Sequence, residues 1–162
     1  MGGNKLIFVA LNFLIFQDVF TTELEGPIST SVHLTVASSP FYLNDTLLIE
    51  ETGSLEIDGG VQILVAPTKK ISVYGSLIIN APAETPVVIN IDVTHVNYDV
   101  NVSNTYWGGI DMYSVDDVML RGLLLQSVGD GSISSGRACS SHGLAINQSN
   151  SVQLRYFYQL SL

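Results

Sequence analysis

Leu47, Leu55, Ile63, Ile71, Ile79 and Val87 recur at a constant spacing of eight residues. Ile49, Ile57, Val65, Val73, Ala81 and Ile89 repeat the same step two positions later. Strand side chains alternate between faces, so each pair two residues apart lies on one face of a strand. Between the pairs stand Gly53, Gly59-Gly60, Pro67, Gly75 and Pro82, residues that turn a chain. The segment therefore reads as very short strands, each burying two aliphatic side chains, joined by tight corners. Ile63 and Ile71 are predicted to face the interior, with Gln62 and Ser72 facing out.

Two architectures can produce this pattern. An antiparallel meander or sandwich also places strands every eight to twelve residues, but it favours longer strands and hairpin signals such as Asn-Gly; the strands here are short and no Asn-Gly occurs. A parallel β-helix uses three short strands per coil, so residues twenty-four apart would lie on top of one another. Leu47 is then expected over Ile71, Leu55 over Ile79 and Ile63 over Val87. Each buried aliphatic contributes about 1.5–3 kcal/mol relative to exposure, and repeat folds need several stacked units because one coil cannot bury its own face. The expected fold class is all-β, a right-handed parallel β-helix.

A longer period governs the second half. Gly109-Ile110-Asp111-Met112 through Val118-Met119-Leu120-Arg121 matches Gly143-Leu144-Ala145-Ile146 through Val152-Gln153-Leu154-Arg155, each pair thirty-four residues apart. This reads as one enlarged coil with residues 129–141 as a bulging loop, and Arg121 and Arg155 at equivalent positions. Residues 90–106 lose the pattern and are expected to form another excursion near Asn101. Strand-like residues reach almost to Leu162 without a polar cap, so the chain is expected to be an N-terminal piece of a longer solenoid.

Charge and address narrow the function classes. Six basic against fifteen acidic residues give a net charge of −9, which offers no Lys/Arg patch for phosphate neutralisation. Nucleic acid is not expected as a partner, and a membrane only through further parts of a longer chain. Lys5 precedes an apolar run, Leu6 to Phe16, broken by Asn12. The run is too short to cross a bilayer but has the length of a signal-peptide core; a buried strand or a signal anchor are its other readings. Three sequons, at Asn44, Asn101 and Asn147, agree with export and are the expected glycosylation sites. Cys139 is the sole cysteine, so it forms no internal disulfide and no zinc site.

The run from Asp45 to Ile89 resembles the opening coils of pectin-lyase-like parallel β-helices. In those, G-x-L-x-I steps lead to a K-x-I-x-V-x-G-x-L coil, a T-P-V corner and then W-G-G-I, here Trp107-Gly108-Gly109-Ile110. Within that group, residues 42–160 look most like the extracellular β-helix region of the animal bark beetle family of junctional membrane proteins. The resemblance implies a part in cell–cell contact or barrier formation, a fold-level analogy.

Many β-helices degrade polysaccharides, and inverting glycosidases need two convergent carboxylates, one acid and one base. The polygalacturonase group carries N-T-D-G-I-D, G-D-D, G-H-G and R-I-K elements. Here Gly109-Ile110-Asp111 echoes the first, but Gly108 stands where the catalytic Asp belongs. Gly129-Asp130-Gly131 lacks the second Asp, Ser141-His142-Gly143 keeps a His only twelve residues after Asp130, and no R-I-K follows. No catalytic residue is assigned; Asp130 and His142 are the candidates should the site be completed elsewhere. Asp116-Asp117 reads as a solvated turn. Glu50, Glu51, Glu56 and Asp58 read as outward strand and corner positions rather than a calcium set, which would be a compact oxygen shell around a sharp Gly turn. His33 and His95 have no partner recognisable from sequence. Trp107 is either core packing or a carbohydrate or partner contact.

The expected organisation is a signal peptide over 1–22, a lead-in or cap over 23–41 and β-helix coils over 42–162. The expected function is a non-catalytic extracellular scaffold or adhesion segment whose partner is an extracellular protein or carbohydrate, secreted or displayed outside the plasma membrane, with no cofactor and no metal. A carbohydrate-binding or inactive hydrolase-like β-helix is the second reading, an active pectin-type glycosidase or lyase the third.

Overall fold

The computed structural model describes residues 22–92, 106–113, 115, 118–128, 144–147 and 152–160. These residues form thirteen strands and one short 3-10 turn, Val36–Ser38. In chain order the strands are β1 (Thr22–Glu23), β2 (Ser31–Leu34), β3 (Phe41–Leu43), β4 (Leu47–Ile49), β5 (Ser54–Ile57), β6 (Gln62–Val65) and β7 (Ile71–Val73). They continue with β8 (Ser76–Asn80), β9 (Val87–Ile91), β10 (Ile110–Tyr113), β11 (Val118–Gln126), β12 (Leu144–Asn147) and β13 (Val152–Leu160).

Every strand pairing is parallel, so the fold is all-β with a curled parallel sheet; the antiparallel meander does not describe it. The strands stack in three columns. The first is β4-β7-β10-β12. The second runs β2-β5-β8 and on through the first halves of β11 and β13, the third β1-β3-β6-β9 and on through their second halves. Following the chain, successive trios visit the columns in turn and return one layer further along, as a solenoid does. At Gly122, with φ of 69°, β11 passes from the second column to the third. A Cβ there would lie 2.4 Å from the Ala81 carbonyl oxygen, so the closeness of the neighbouring coil as well as the left-handed backbone favours glycine.

The aliphatic rows fill the interior. Leu47, Ile49, Leu55, Ile63, Val65, Val73, Ile79 and Val87 have no exposed surface, and Ile71 has almost none. Tight packing of this kind keeps water from the interior. The thirty-four-residue repeat is also realised: Ile110 pairs with Leu144 and Val118 with Val152, and Arg121 and Arg155 stand in register and exposed.

One expectation is corrected and two are sharpened. Leu47 does stack on Ile71, but Leu55 stacks on Leu77 rather than Ile79, and Ile63 on Ile89 rather than Val87. The corner between β7 and β8 is only Tyr74-Gly75, two residues shorter than residues 50–53 in the coil before, and the next corner, 81–86, is two longer than 58–61. The two changes do not cancel: the offset between stacked residues goes from 24 to 22 and then to 26. A shift of two also keeps every side chain on its face, so the interior set survives while its partners change. Second, residues 23–41, expected as a lead-in or cap, join the stack directly. Ile28 bridges Ile49 in the first column, β2 pairs with β5 and β3 with β6, so they supply most of a coil of their own. Third, Gln62 is exposed as expected but Ser72 is only 7% exposed. Ser72 stands in register between Leu48 and Asp111, with Lys70 and Tyr74 to either side along the strand. Its short side chain is sheltered among longer ones.

Candidate functional site

Alternation that sends Ile71 and Val73 inward turns Lys70, Ser72 and Tyr74 to the outer face of the first column. One layer on, the same rule turns Asp111 and Tyr113 outward, because Ile110 and Met112 are buried. The register Ile71–Ile110 and Val73–Met112 then brings the two outward sets together. Lys70 Nζ donates to Asp111 Oδ2 at 2.8 Å, and Tyr113 Oη donates to the same oxygen at 3.3 Å. The Tyr74 and Tyr113 rings stack with centroids 4.8 Å apart and planes 15° from parallel. That spacing is the separation of neighbouring strands, so the rings lie one above the other along the stack. Tyr74 is 43% exposed.

The electrostatics follow from these contacts. The hydrogen bond to Asp111 raises the Lys70 pKa above the ordinary lysine value against the opposing effect of burial, and holds its ammonium charged. Burial raises Tyr113, and the Asp111 carboxylate adds to the effect. Asp111, the residue that echoes a polygalacturonase element, is thus engaged by a cation and a phenol. The arrangement anchors two coils and displays an aromatic, polar patch. It does not pair two carboxylates across a cleft as glycosidase chemistry requires.

A second outward feature lies where the first coil meets the second. Glu23, Glu25, Tyr42, Asn44 and Asp45 help line a cleft of about 280 Å³. Asn44 is exposed, and its Nδ2 donates to Glu23 Oε1 at 3.3 Å. Asp45 Oδ1 accepts from Lys69 Nζ at 3.0 Å and from the Thr46 N–H at 2.7 Å. Chiefly through the Lys69 bond, the Asp45 pKa falls below the usual carboxylate value.

Trp107 is completely buried and its Nε1–H donates to the Gln126 carbonyl at 2.7 Å. The contact role considered for it is therefore corrected: a side chain with no exposed surface is core, and its one polar atom is satisfied internally. His33, without a recognisable partner in sequence, has one in space: its Nε2 lies 2.9 Å from Asp58 Oδ1. Glu51 and Glu56 are exposed, and among the described residues no three His, Cys, Asp or Glu side chains gather as a metal site would require. Asp130, His142, Cys139, His95, Asn101 and the Asp116-Asp117 pair lie outside the described residues, as does the apolar run at the N-terminus. Asn147 ends β12 opposite Tyr113. Among the described residues no helix is long and apolar enough to cross a membrane.

Sequence reasoning missed Tyr74, Tyr113 and the Lys70–Asp111 pair. Tyr113 follows Tyr74 by the same thirty-nine residues that separate Ile110 from Ile71, but no repeat in the sequence marks that interval. No protein-family model matches the chain, and no curated protein or solved structure gives a significant match.

Proposed function

We propose that the chain is a non-catalytic extracellular scaffold or adhesion segment, built as a right-handed parallel β-helix of the pectin-lyase-like kind and akin to the extracellular region of bark beetle junctional proteins. The observation that carries the reading is the uninterrupted stacking of three parallel columns over an aliphatic interior. Such a stack is a stiff rod whose coils contact only their neighbours, and it suits holding binding surfaces at fixed separation. The outward patch at Tyr74, Tyr113, Lys70 and Asp111 supports protein contact in particular. Tyrosine is enriched where protein interfaces concentrate their binding energy, and rings stacked on one another leave little free face for a sugar to lie against. Sequons and the signal-like N-terminus support placement outside the cell.

The test is to display the full chain on the surface of otherwise non-adhesive cells and to measure clustering. Clustering with cells bearing the chain or a co-expressed partner, reduced in a Tyr74→Ala, Tyr113→Ala double variant that still melts cooperatively, is the expected result. Absence of any cell or protein contact, together with saturable binding of polysaccharide, would replace this reading with the carbohydrate-binding one.

A further inference from the structure

We propose that Asn44 is an N-glycan acceptor and that the cleft beside it seats the first, N-acetylhexosamine sugar of that glycan, a proposal that rests on the extracellular reading. The sequon Asn44-Asp45-Thr46 is exposed at all three positions. It occupies the corner between β3 and β4, where a large substituent meets no inward packing. The cleft of about 280 Å³ opens at the same corner, near the small end of ligand pockets at roughly 300 Å³, and so takes one pyranose ring rather than a chain of them. Its chemistry suits a neutral sugar. Glu23 and Glu25 accept hydrogen bonds from hydroxyl and acetamide N–H donors, and the half-buried ring of Tyr42 offers an apolar wall. Lys69, the nearby cation, is held by Asp45, so an anionic ligand would face the two glutamates.

Attachment leaves the existing contact possible. Asn44 Nδ2 attacks C1 of an oligosaccharide carried on a lipid pyrophosphate. The Nδ2–C1 bond forms as the C1–O bond to phosphate breaks, the lipid pyrophosphate leaves with the bonding pair, and one amide proton passes to a base of the transferase. The second amide proton remains and still can donate to Glu23 Oε1, now 3.3 Å away. This substituent would stand beside β1, which among the described residues has a strand partner on one side only. A glycan there shields a sheet edge that could otherwise template pairing with another chain.

The experiment is translation of the full chain with eukaryotic microsomes, with its own N-terminus and behind a heterologous leader, followed by mass mapping of the sequon peptides. The expected result is glycan on Asn44 in both, lost in Thr46→Ala and kept in Thr46→Ser. Glycan on Asn44 only behind the added leader overturns export by the native N-terminus and leaves the acceptor assignment standing. Glycan at Asn101 or Asn147 but not at Asn44, or none behind the leader, overturns the proposal. The seat is read separately, from the rate at which a peptide-cleaving N-glycosidase releases the glycan. Release from the native protein should be slower than from the denatured protein by about tenfold, the factor expected of one or two net hydrogen bonds, and Glu23→Ala should remove most of that difference. Equal rates for native and denatured protein refute the seat.

Discussion

Replacing Gly75 by alanine should damage this fold far more than the size of a methyl group suggests. Gly75 lies in the two-residue corner between β7 and β8, over the corner of the previous coil. A Cβ built on it would stand 2.1 Å from the Glu50 carbonyl oxygen and 2.2 Å from that of Gly53, where ordinary contact begins at 3.4 Å. Both neighbours are backbone, so no side chain can swing aside. The coils would have to part locally by more than an ångström. Two hydrogen bonds pass through this point: Gly53 N–H to the Glu50 carbonyl at 2.8 Å, and Ser76 N–H to the Gly53 carbonyl at 3.0 Å. Losing both costs about 1–3 kcal/mol net, and a buried polar group left without a partner adds about 1–3 kcal/mol. The sum, roughly 2–6 kcal/mol, is a large share of a stability of about 5–15 kcal/mol. Thermal melting followed by circular dichroism should show a fall on the order of 10 °C. Gly60→Ala is the control. Its Cβ would meet only Val36 Cγ2 at 3.6 Å, so it bears the cost of its φ of 83° alone, about 1–2 kcal/mol. If Gly75→Ala melts no lower than Gly60→Ala, the close stacking of the corners is wrong.

The other predictions concern the core, an exposed pair and catalysis. Ile71→Asp places a carboxylate between Leu47 and Ile110, where nothing compensates it, and should abolish secretion of folded protein; normal secretion with an unchanged circular dichroism spectrum refutes the stacking. Trp107→Phe retains most of the buried ring but leaves the Gln126 carbonyl without its donor, and should cost about 1–3 kcal/mol in a denaturant titration. The hydrogen bond to Asp58 raises the His33 pKa above 6.5. The stabilisation is therefore fully present below the unfolded pKa, about 6.5, and is lost as pH rises through the folded value. An NMR titration should show the raised midpoint, and Asp58→Asn should return it toward 6.5. The protein should show no turnover of polygalacturonate in reducing-end and unsaturated-product assays; activity abolished by Asp130→Asn or His142→Ala would replace the scaffold reading with the glycosidase.

Much of the fold was legible because it is written in short-range alternation. Which side chains face the interior depends only on the pleat of each strand, and the two rows of aliphatic residues display that directly. The match between residues 109–121 and 143–155 was legible for a related reason: a constant thirty-four-residue step preserves the same pattern, and the structure pairs 110–113 with 144–147 and 118–121 with 152–155. The candidate site was hidden. Lys70, Tyr74, Asp111 and Tyr113 occupy outward positions where side-chain identity is free, so no periodicity singles them out. His33 and Asp58 were hidden likewise, twenty-five residues apart and joined only because β2 and β5 lie side by side.

Short strands, turn-forming corners, the inward set and hence an all-β fold with an aliphatic core follow from the order of residues alone. The tertiary structure decided which residue rests on which. Leu55 meets Leu77, not Ile79, because the Tyr74-Gly75 corner crosses the previous coil with room for hydrogen alone, and the longer corner at 81–86 then carries the register past its starting offset, so that Ile63 meets Ile89. Since a displacement of two residues leaves every side chain on its own face, both registers satisfy the hydrophobic pattern equally. Only the backbone approach between coils distinguishes them, and that approach also sets Tyr113 over Tyr74 and Asp111 beside Lys70.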